Sequence, residues 1–389
     1  MNVIRRLVES DLDALMAVRS ISYPGSGLEE AELRRIIATR LPFTCGLFEA
    51  GELACVATMW PLRMYLGGRE VAMGGLAGVA TAPEFRRGGR VRALLREALE
   101  RLRDEGTGWC LEYPFDPRFY HRLGWQSVPC GSEVEIPSEY LHRGGPPVSA
   151  RRLSLSEFAS LAPVFESWAA RYTFALTRQN DPRKPWTRMV SKEWLEDDGF
   201  LYTVDGGYVL FTLTQENRRN ILTVEDYAYS GGKGRDDIFR FLGAMHGQAA
   251  LIRMHLPDDD PVSLDHRFRH ATPRRWPLQA RVADLAAALG PLSAPAREPF
   301  RLRVHDELCP WNDGTFELTC AESGTSVARC GGEPDAELPI QTIPLLVGGA
   351  ISAETALAQG QASGQIGPLT AIAGLSRGRR SFMPLSDAF

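Results

Sequence analysis

Between Gly78 and Arg92 the chain reads as the end of an apolar strand, a basic glycine turn and the start of a helix. The strand run is Met73 to Thr81, and Pro83 to Gly89 makes the turn. Val91, Leu94, Leu95, Ala98, Leu99 and Leu102 then recur at helical spacing until Gly106. A helix start offers unpaired N–H groups and the positive end of a dipole, which together bind anions. Gly88 and Gly89 let backbone approach a ligand closely, while Arg86, Arg87, Arg90 and Arg92 add guanidinium forks suited to phosphate. The combination suits a pyrophosphate. It is not a nucleoside-triphosphate loop, since no Lys-Ser/Thr pair follows the glycines, and the G-x-G-x-x-G dinucleotide pattern is absent.

A second constellation follows at Phe119-Tyr120-His121-Arg122-Leu123-Gly124-Trp125. It has the form Y-x-x-x-G-[FYW] and comes just after a further strand at Trp109 to Tyr113. A phenol, with an ordinary pKa near 10, can serve as a proton donor. Tyr120 is the candidate acid; Phe119 and Trp125 are read as core.

The remainder of the chain repeats this order in outline. Ile4 opens a strand, Leu12 to Val18 a helix, and two apolar runs flank the turn Ala50-Gly51-Glu52. Gly144-Gly145-Pro146-Pro147 reads as a linker. Beyond it come a helix over about 156–171, a hairpin around Asp205-Gly206-Gly207 and a strand over 221–229. A glycine turn at Gly231–Gly234, a helix over 236–246 and a strand over 251–256 complete the copy. Asp236 and Asp237 at that second helix start would repel a pyrophosphate, so the copy is expected to bind none and to act as a scaffold that walls the first unit's cleft. A third unit begins near Pro291 with strands over 300–304, 315–320 and 326–330. Helices over 341–346 and 353–359 and an extended tail follow. The boundaries expected are 1–147, 148–290 and 291–389, from 389 residues at roughly 100–200 per domain.

The turn is of the [RQ]-x-x-G-x-[GA] type, and with the Tyr120 motif it resembles the GNAT acetyltransferase superfamily. The degenerate second copy, the third unit and the ending Leu385-Ser386-Asp387-Ala388-Phe389 extend the resemblance to the enhanced intracellular survival (Eis) family of N-acetyltransferases. The fold class implied is α/β (α+β): tandem GNAT-like domains with mixed sheets, then a sterol-carrier-protein-like α+β domain. The resemblance implies acetyl-CoA as co-substrate and no metal. It places Val79, Ala80 and Thr81 along the pantetheine arm, and Arg87, Gly88, Gly89, Arg90, Val91 and Arg92 at the pyrophosphate, with Phe115 and Asp116 as further contacts. Tyr120 becomes proton donor and Phe389, through its carboxylate, proton acceptor. Aminoglycoside-like polyamines are the implied acceptors and a hexamer the implied assembly. A peptide or lysine N-acetyltransferase and a non-catalytic coenzyme A sensor or carrier are the alternatives.

Composition removes other classes. With 44 basic and 48 acidic residues, no global field favours nucleic acid. No apolar run has the 18 or so residues of a membrane span, and seven cysteines without a C-x-x-C pair suit a reducing, cytoplasmic setting. Gly374-Leu375-Ser376-Arg377-Gly378 imitates a nucleophile elbow without the flanking strand and helix it needs. His255, His266 and His270, spaced around Asp258–Asp260, fit no zinc pattern, and Glu29, Glu30 and Glu32 read as a solvated helix face.

Overall fold

The computed structural model describes residues 2–25, 27–141, 147–190, 199–264, 274–275, 278–295 and 297–389. The linker glycines 144 and 145, with His266 and His270, lie outside the described residues. Alternating apolar residues build long antiparallel strands at the start. These are β1 (Asn2–Arg6), β2 (Thr44–Glu49), β3 (Glu52–Leu66) and β4 (Arg69–Thr81), joined by the expected turn at Ala50–Gly51. β5 (Trp109–Glu112) runs parallel to β4, and β6 (Gln126–Val128) follows. Three helices serve the first sheet: α1 (Leu12–Ser22), α2 (Glu30–Ala38) and α3 (Arg90–Asp104). The apolar stripe of α3 is buried at Leu94, Leu95, Ala98, Leu99 and Leu102, against Leu47, Ala54, Leu76 and Trp125.

The second sheet contains β7 (Ser132–Pro137), β8 (Arg151–Leu153), β9 (Gly199–Val204), β10 (Gly207–Glu216), β11 (Arg219–Tyr229), β12 (Leu251–Leu256) and β13 (Arg274–Arg275). β14 (Leu278–Val282) returns to the first sheet and lies between β5 and β6, so the two sheets share chain across their sequence boundaries. The third comprises β15 (Phe300–His305), β16 (Gly314–Ala321), β17 (Gly324–Arg329), β18 (Ala336–Pro339) and β19 (Ser363–Gly364), under helices Thr342–Val347, Ala353–Ala358 and Ile366–Gly374. All three sheets are mixed, with one parallel pair each: β4–β5, β11–β12 and β15–β18.

Some elements depart from their sequence reading. The helix expected over 156–171 is a 3₁₀ segment, Leu155–Leu161, followed by a helix over Ala162–Ala169, because Pro163 has no N–H to continue the first piece. The run Gly231–Gly234 is the first turn of a helix, Gly231–Gly243, rather than a separate turn; a Cβ at Gly234 would meet the Gly206 carbonyl oxygen at 2.5 Å. The tail holds the helix Ile366–Gly374, whose Pro368 sits in the tolerant first turn. Among the described residues no helix is long and apolar enough to cross a membrane.

Both parallel pairs of the two large sheets open into a V. β4 and β5 pair from Met73–Trp109 to Leu76–Glu112, after which β4 runs on to Thr81 without its neighbour. β11 and β12 pair only from Ile221–Leu251 to Thr223–Arg253. The C-terminal tail enters the second V. Phe382 is buried and stacks on His255 of β12 (5.1 Å, 22°), and Leu385–Asp387 forms a 3₁₀ turn against β11. Arg178 locks it there. Its Nη1 and Nη2 donate to both oxygens of Asp226 (2.9 and 2.8 Å), and its Nε donates to Asp387 Oδ1 (2.7 Å). Arg183, held by Asp181, donates to the Asp387 carbonyl (2.9 Å). A cavity of about 350 Å³ remains between β11, β12 and the tail.

Two outcomes follow for stability. Arg178→Met leaves Asp226 and Asp387 as uncompensated buried carboxylates, so it should cost about 3–5 kcal/mol in denaturant unfolding and expose the tail to carboxypeptidase. Burial lowers the His255 pKa from its ordinary 6.5 to about 4. The unfolded chain therefore binds a proton on His255 that the folded chain refuses. Stability attributable to His255 is present above about pH 6.5 and is lost as pH falls towards 4, in total roughly 3 kcal/mol. His255→Phe should flatten that acid limb in unfolding measured across pH; an unchanged limb would place its origin elsewhere.

Candidate active site

The first V is the open one. On its far edge β4 pairs with β3 through a bulge between Val56 and Thr58, and Gly78 there takes φ +59°. A Cβ on Gly78 would come 2.9 Å from Arg19 Nη1. Past Leu76 no described strand pairs with the β5-facing edge of β4, so Val79, Ala80 and Thr81 line a cavity of about 560 Å³. Tyr23, just after α1, donates its hydroxyl to the Val79 carbonyl (3.0 Å) and forms part of the same wall.

The basic turn closes one end of this cavity. Arg87 (φ +65°) and Gly89 (φ +74°) both take left-handed backbone, which turns the chain sharply into α3 and aims its first N–H groups outward. The four guanidinium groups do not act alike. Arg90 folds back onto Glu49 at the end of β2, with Nη2 to Oε1 at 2.8 Å, and donates to the Phe85 carbonyl (2.9 Å). That path explains Gly88, where a Cβ would meet Arg90 Nη1 at 2.0 Å. Arg92 reaches the Glu307 carbonyl in the third unit (3.0 Å). Arg86 and Arg87 stand exposed at the mouth. Val91 is half-buried against the core under α3, and its backbone lines the cavity with Gly88 and Gly89. The groups of the turn left free to meet an anion are thus two exposed guanidinium groups plus backbone N–H, with Arg90 bracing the turn.

At the other side lies α4 (Pro117–His121). Asp116 caps it, accepting from the Arg118 N–H (3.0 Å), and pairs with the Arg118 side chain. Its carboxylate is therefore occupied, and Asp116 does not line the cavity that Phe115 lines. Phe115 is 75% exposed and stands edge-on to Tyr120 (5.7 Å). Tyr120 is buried, packed edge-on by Phe119 and Trp125, and its hydroxyl is electrostatically coupled to the nearby Glu112 carboxyl. Burial first, then Glu112, raises its pKa well above that of an ordinary phenol, so it is a neutral O–H donor. Phe119, read as core from sequence, also faces the cavity, whereas Trp125 is wholly buried. Gly124 takes φ +95°, and a Cβ there would overlap the buried Arg281 guanidinium, which is paired with Asp306 (2.9 Å).

The tail that leaves the second V ends in the first. The Phe389 ring lies against Gly75 of β4, where a Cβ would come 3.2 Å from Cδ2, one residue before the β4–β5 pairing ends. It is edge-on to Tyr113 (5.7 Å, 72°), and the Arg183 guanidinium lies 5.5 Å from its centroid. The strand, the basic turn and Phe115 thus line one cleft, and the tail ends at Gly75, on the strand that forms its wall. Sequence reasoning missed Glu112, Tyr23 and the Arg178–Asp226–Asp387 seat. Only Glu112 carried a local signal, as a carboxylate ending the apolar strand Trp-Cys-Leu-Glu.

Other motifs go elsewhere. In the second unit Asp237 pairs with Lys233 (2.6 Å) at the helix start. Ser376 is buried and donates to the Ala373 carbonyl (3.2 Å) just past a helix end, in no elbow. Among the described residues no group of three or more His, Cys, Asp or Glu side chains is placed to hold a metal.

Comparison with known proteins agrees with this architecture. Residues 3–128 match the family described as acetyltransferase (GNAT) domain, and residues 283–384 match that described as sterol carrier protein domain. An uncharacterized N-acetyltransferase of Streptomyces avermitilis is 23% identical over 353 residues, covering 86% of each chain. A GCN5-related N-acetyltransferase from Anabaena variabilis shares the fold with a TM-score of 0.86 at 19% identity, over 100% of both chains. Eis1 from Mycobacterium abscessus does so with a TM-score of 0.75 at 19% identity, again over 100% of both. With a GNAT domain at its start and a sterol carrier protein domain at its end, the chain is an acetyltransferase of the GNAT type whose fold is like that of Eis1.

Proposed function

We propose that the chain transfers acetyl from acetyl-CoA to a primary amine of a small, aminoglycoside-like polyamine by direct attack in a ternary complex. What supports this reading is the Phe389 ring against Gly75 of β4, one residue before the β4–β5 pairing ends, with the basic turn lining the cavity beyond. GNAT proteins in general use acetyl-CoA, and this cleft has the parts to hold it. Arg86, Arg87 and the first N–H groups of α3 take the pyrophosphate, the bare edge of β4 at Val79–Thr81 takes the amide-bearing arm, and Phe115 offers an exposed ring. The polyamine acceptor rests on the likeness to the Eis family, as does a hexameric assembly.

In this reading the ammonium of the acceptor gives a proton to the Phe389 carboxylate, directly or through water, and the free amine attacks the thioester carbonyl. Backbone N–H groups of β4 polarise that carbonyl. The leaving thiolate takes its proton from Tyr120, and the attacking nitrogen gives up its second proton to water as the tetrahedral adduct collapses to the amide. Among the described residues no cysteine lines the cleft, which is why direct attack is preferred to an acetyl-enzyme.

Thiol release with a panel of amines tests the proposal; saturable coenzyme binding without turnover would mean a sensor or carrier, and turnover on peptides alone a protein acetyltransferase. Residues appended after Phe389 should lower kcat by roughly 100-fold or more while acetyl-CoA affinity, read by calorimetry, stays nearly constant. Full activity of the extended chain would remove the base assignment. Tyr120→Phe should lower kcat by roughly 100-fold at unchanged coenzyme affinity; an unaltered kcat would make Tyr120 structural.

A further inference from the structure

The reaction scheme uses the Tyr120 hydroxyl and leaves its buried neighbour unused. Glu112 ends β5 where the V opens, flanked by Leu76 of β4 and by Gln279 of β14. It is 2% exposed, it is coupled to the neighbouring Tyr120 hydroxyl, and among the described residues its Oε1 has no partner. Oε1 of Gln279, directly across the ladder, has none either. The titratable groups facing Glu112 are Tyr120 on α4, Tyr23 after α1 and Cys110 on β5 itself. On β14 stand Gln279 and, two residues on, Arg281, whose charge is met by Asp306. Among the described residues no guanidinium is bound to the Glu112 carboxyl, and burial, partly offset by the neighbouring Tyr120 hydroxyl, pushes its pKa up to about 9.

The state of this carboxyl decides where the phenol proton points. An ionised Glu112 only accepts, so it holds the Tyr120 O–H for itself. A protonated Glu112 donates to the phenol oxygen, and the Tyr120 proton is released towards the cleft. We propose that Glu112, buried where the V opens with one carboxyl oxygen unpartnered, is the positioning residue behind Tyr120: it aims the phenol proton and replaces it once given away. The proposal rests on the reading of Tyr120 as the acid in acetyl transfer. In the step, the Tyr120 O–H bond breaks as an S–H bond forms on the leaving thiolate. The Glu112 O–H bond breaks as a new O–H forms on Tyr120. The products are a thiol, a neutral Tyr120 and a Glu112 carboxylate, which regains its proton from water when the cleft opens. The negative charge passes from sulfur to carboxylate, and no phenolate is left buried.

Glu112→Gln keeps the shape and an N–H donor to the phenol oxygen but neither ionises nor yields a proton. In the wild-type chain kcat should fall as pH rises through about 9. In Glu112→Gln that alkaline limb should vanish, and kcat near neutral pH should drop roughly tenfold or more with the KM for acetyl-CoA unchanged. If kcat and the limb both stay as in wild type while Tyr120→Phe is impaired, the role of Glu112 is overturned and the acid reading stands. If neither variant loses activity, the acid reading falls and takes this proposal with it. Should Glu112→Gln fail to fold, infrared spectroscopy of the ¹³C-glutamate-labelled wild-type protein decides. A protonated, buried carboxyl band at neutral pH that disappears near pH 9 supports the proposal, and the absence of such a band overturns it.

Discussion

Arg178 is the contact on which the arrangement depends. It is wholly buried, its guanidinium lies 3.7 Å from the centroid of the Phe165 ring, and its donors go to Asp226 and Asp387. A buried ion pair gives little net stability compared with apolar packing, because desolvation consumes most of the Coulomb gain. Its value here is one of position. Asp226 sits on a strand of the second sheet and Asp387 two residues from the last, so a single side chain fixes where the tail must lie. The aromatic faces and Ser386 complete the coordination, leaving the segment one well-defined seat.

That seat separates two similar sheets by occupant. Each opens between parallel strands after three or four paired residues, and each opening is a slot for an extended chain. In the second sheet the slot holds the tail, with Phe382 stacked on His255. In the first it is open, lipped by a turn whose backbone N–H groups and exposed arginines favour an anion. The third unit thereby acts on the first cleft from a distance. Its C-terminal extension crosses the second sheet and delivers Phe389 to Gly75, while the Glu307 carbonyl steadies Arg92 behind the turn.

Local features were legible in the residues. The hairpin at Ala50–Gly51, the apolar stripe of α3 and the strand–turn–helix at Gly78–Arg92 depend on neighbours in sequence, and they form as read. What escaped depends on distant partners. Nothing near Leu278 says that this strand will enter the first sheet, since its pairing with Trp109–Glu112 spans more than two fifths of the chain. Arg90 looks like a phosphate ligand until Glu49, 41 residues earlier, is brought beside it. Asp116 likewise reads as a coenzyme contact until it is seen capping α4. The helix Ile366–Gly374 hid because its apolar residues show no polar face to mark a helical period.

Calorimetric titration of the pure, folded protein with acetyl-CoA reads the division between the two clefts most directly. One slot is open and lined for a diphosphate while the other is packed with the protein's own tail, so binding should be saturable at one coenzyme per chain. It should also weaken as salt screens Arg86 and Arg87. No heat of binding, or two equivalents bound per chain, would contradict the account.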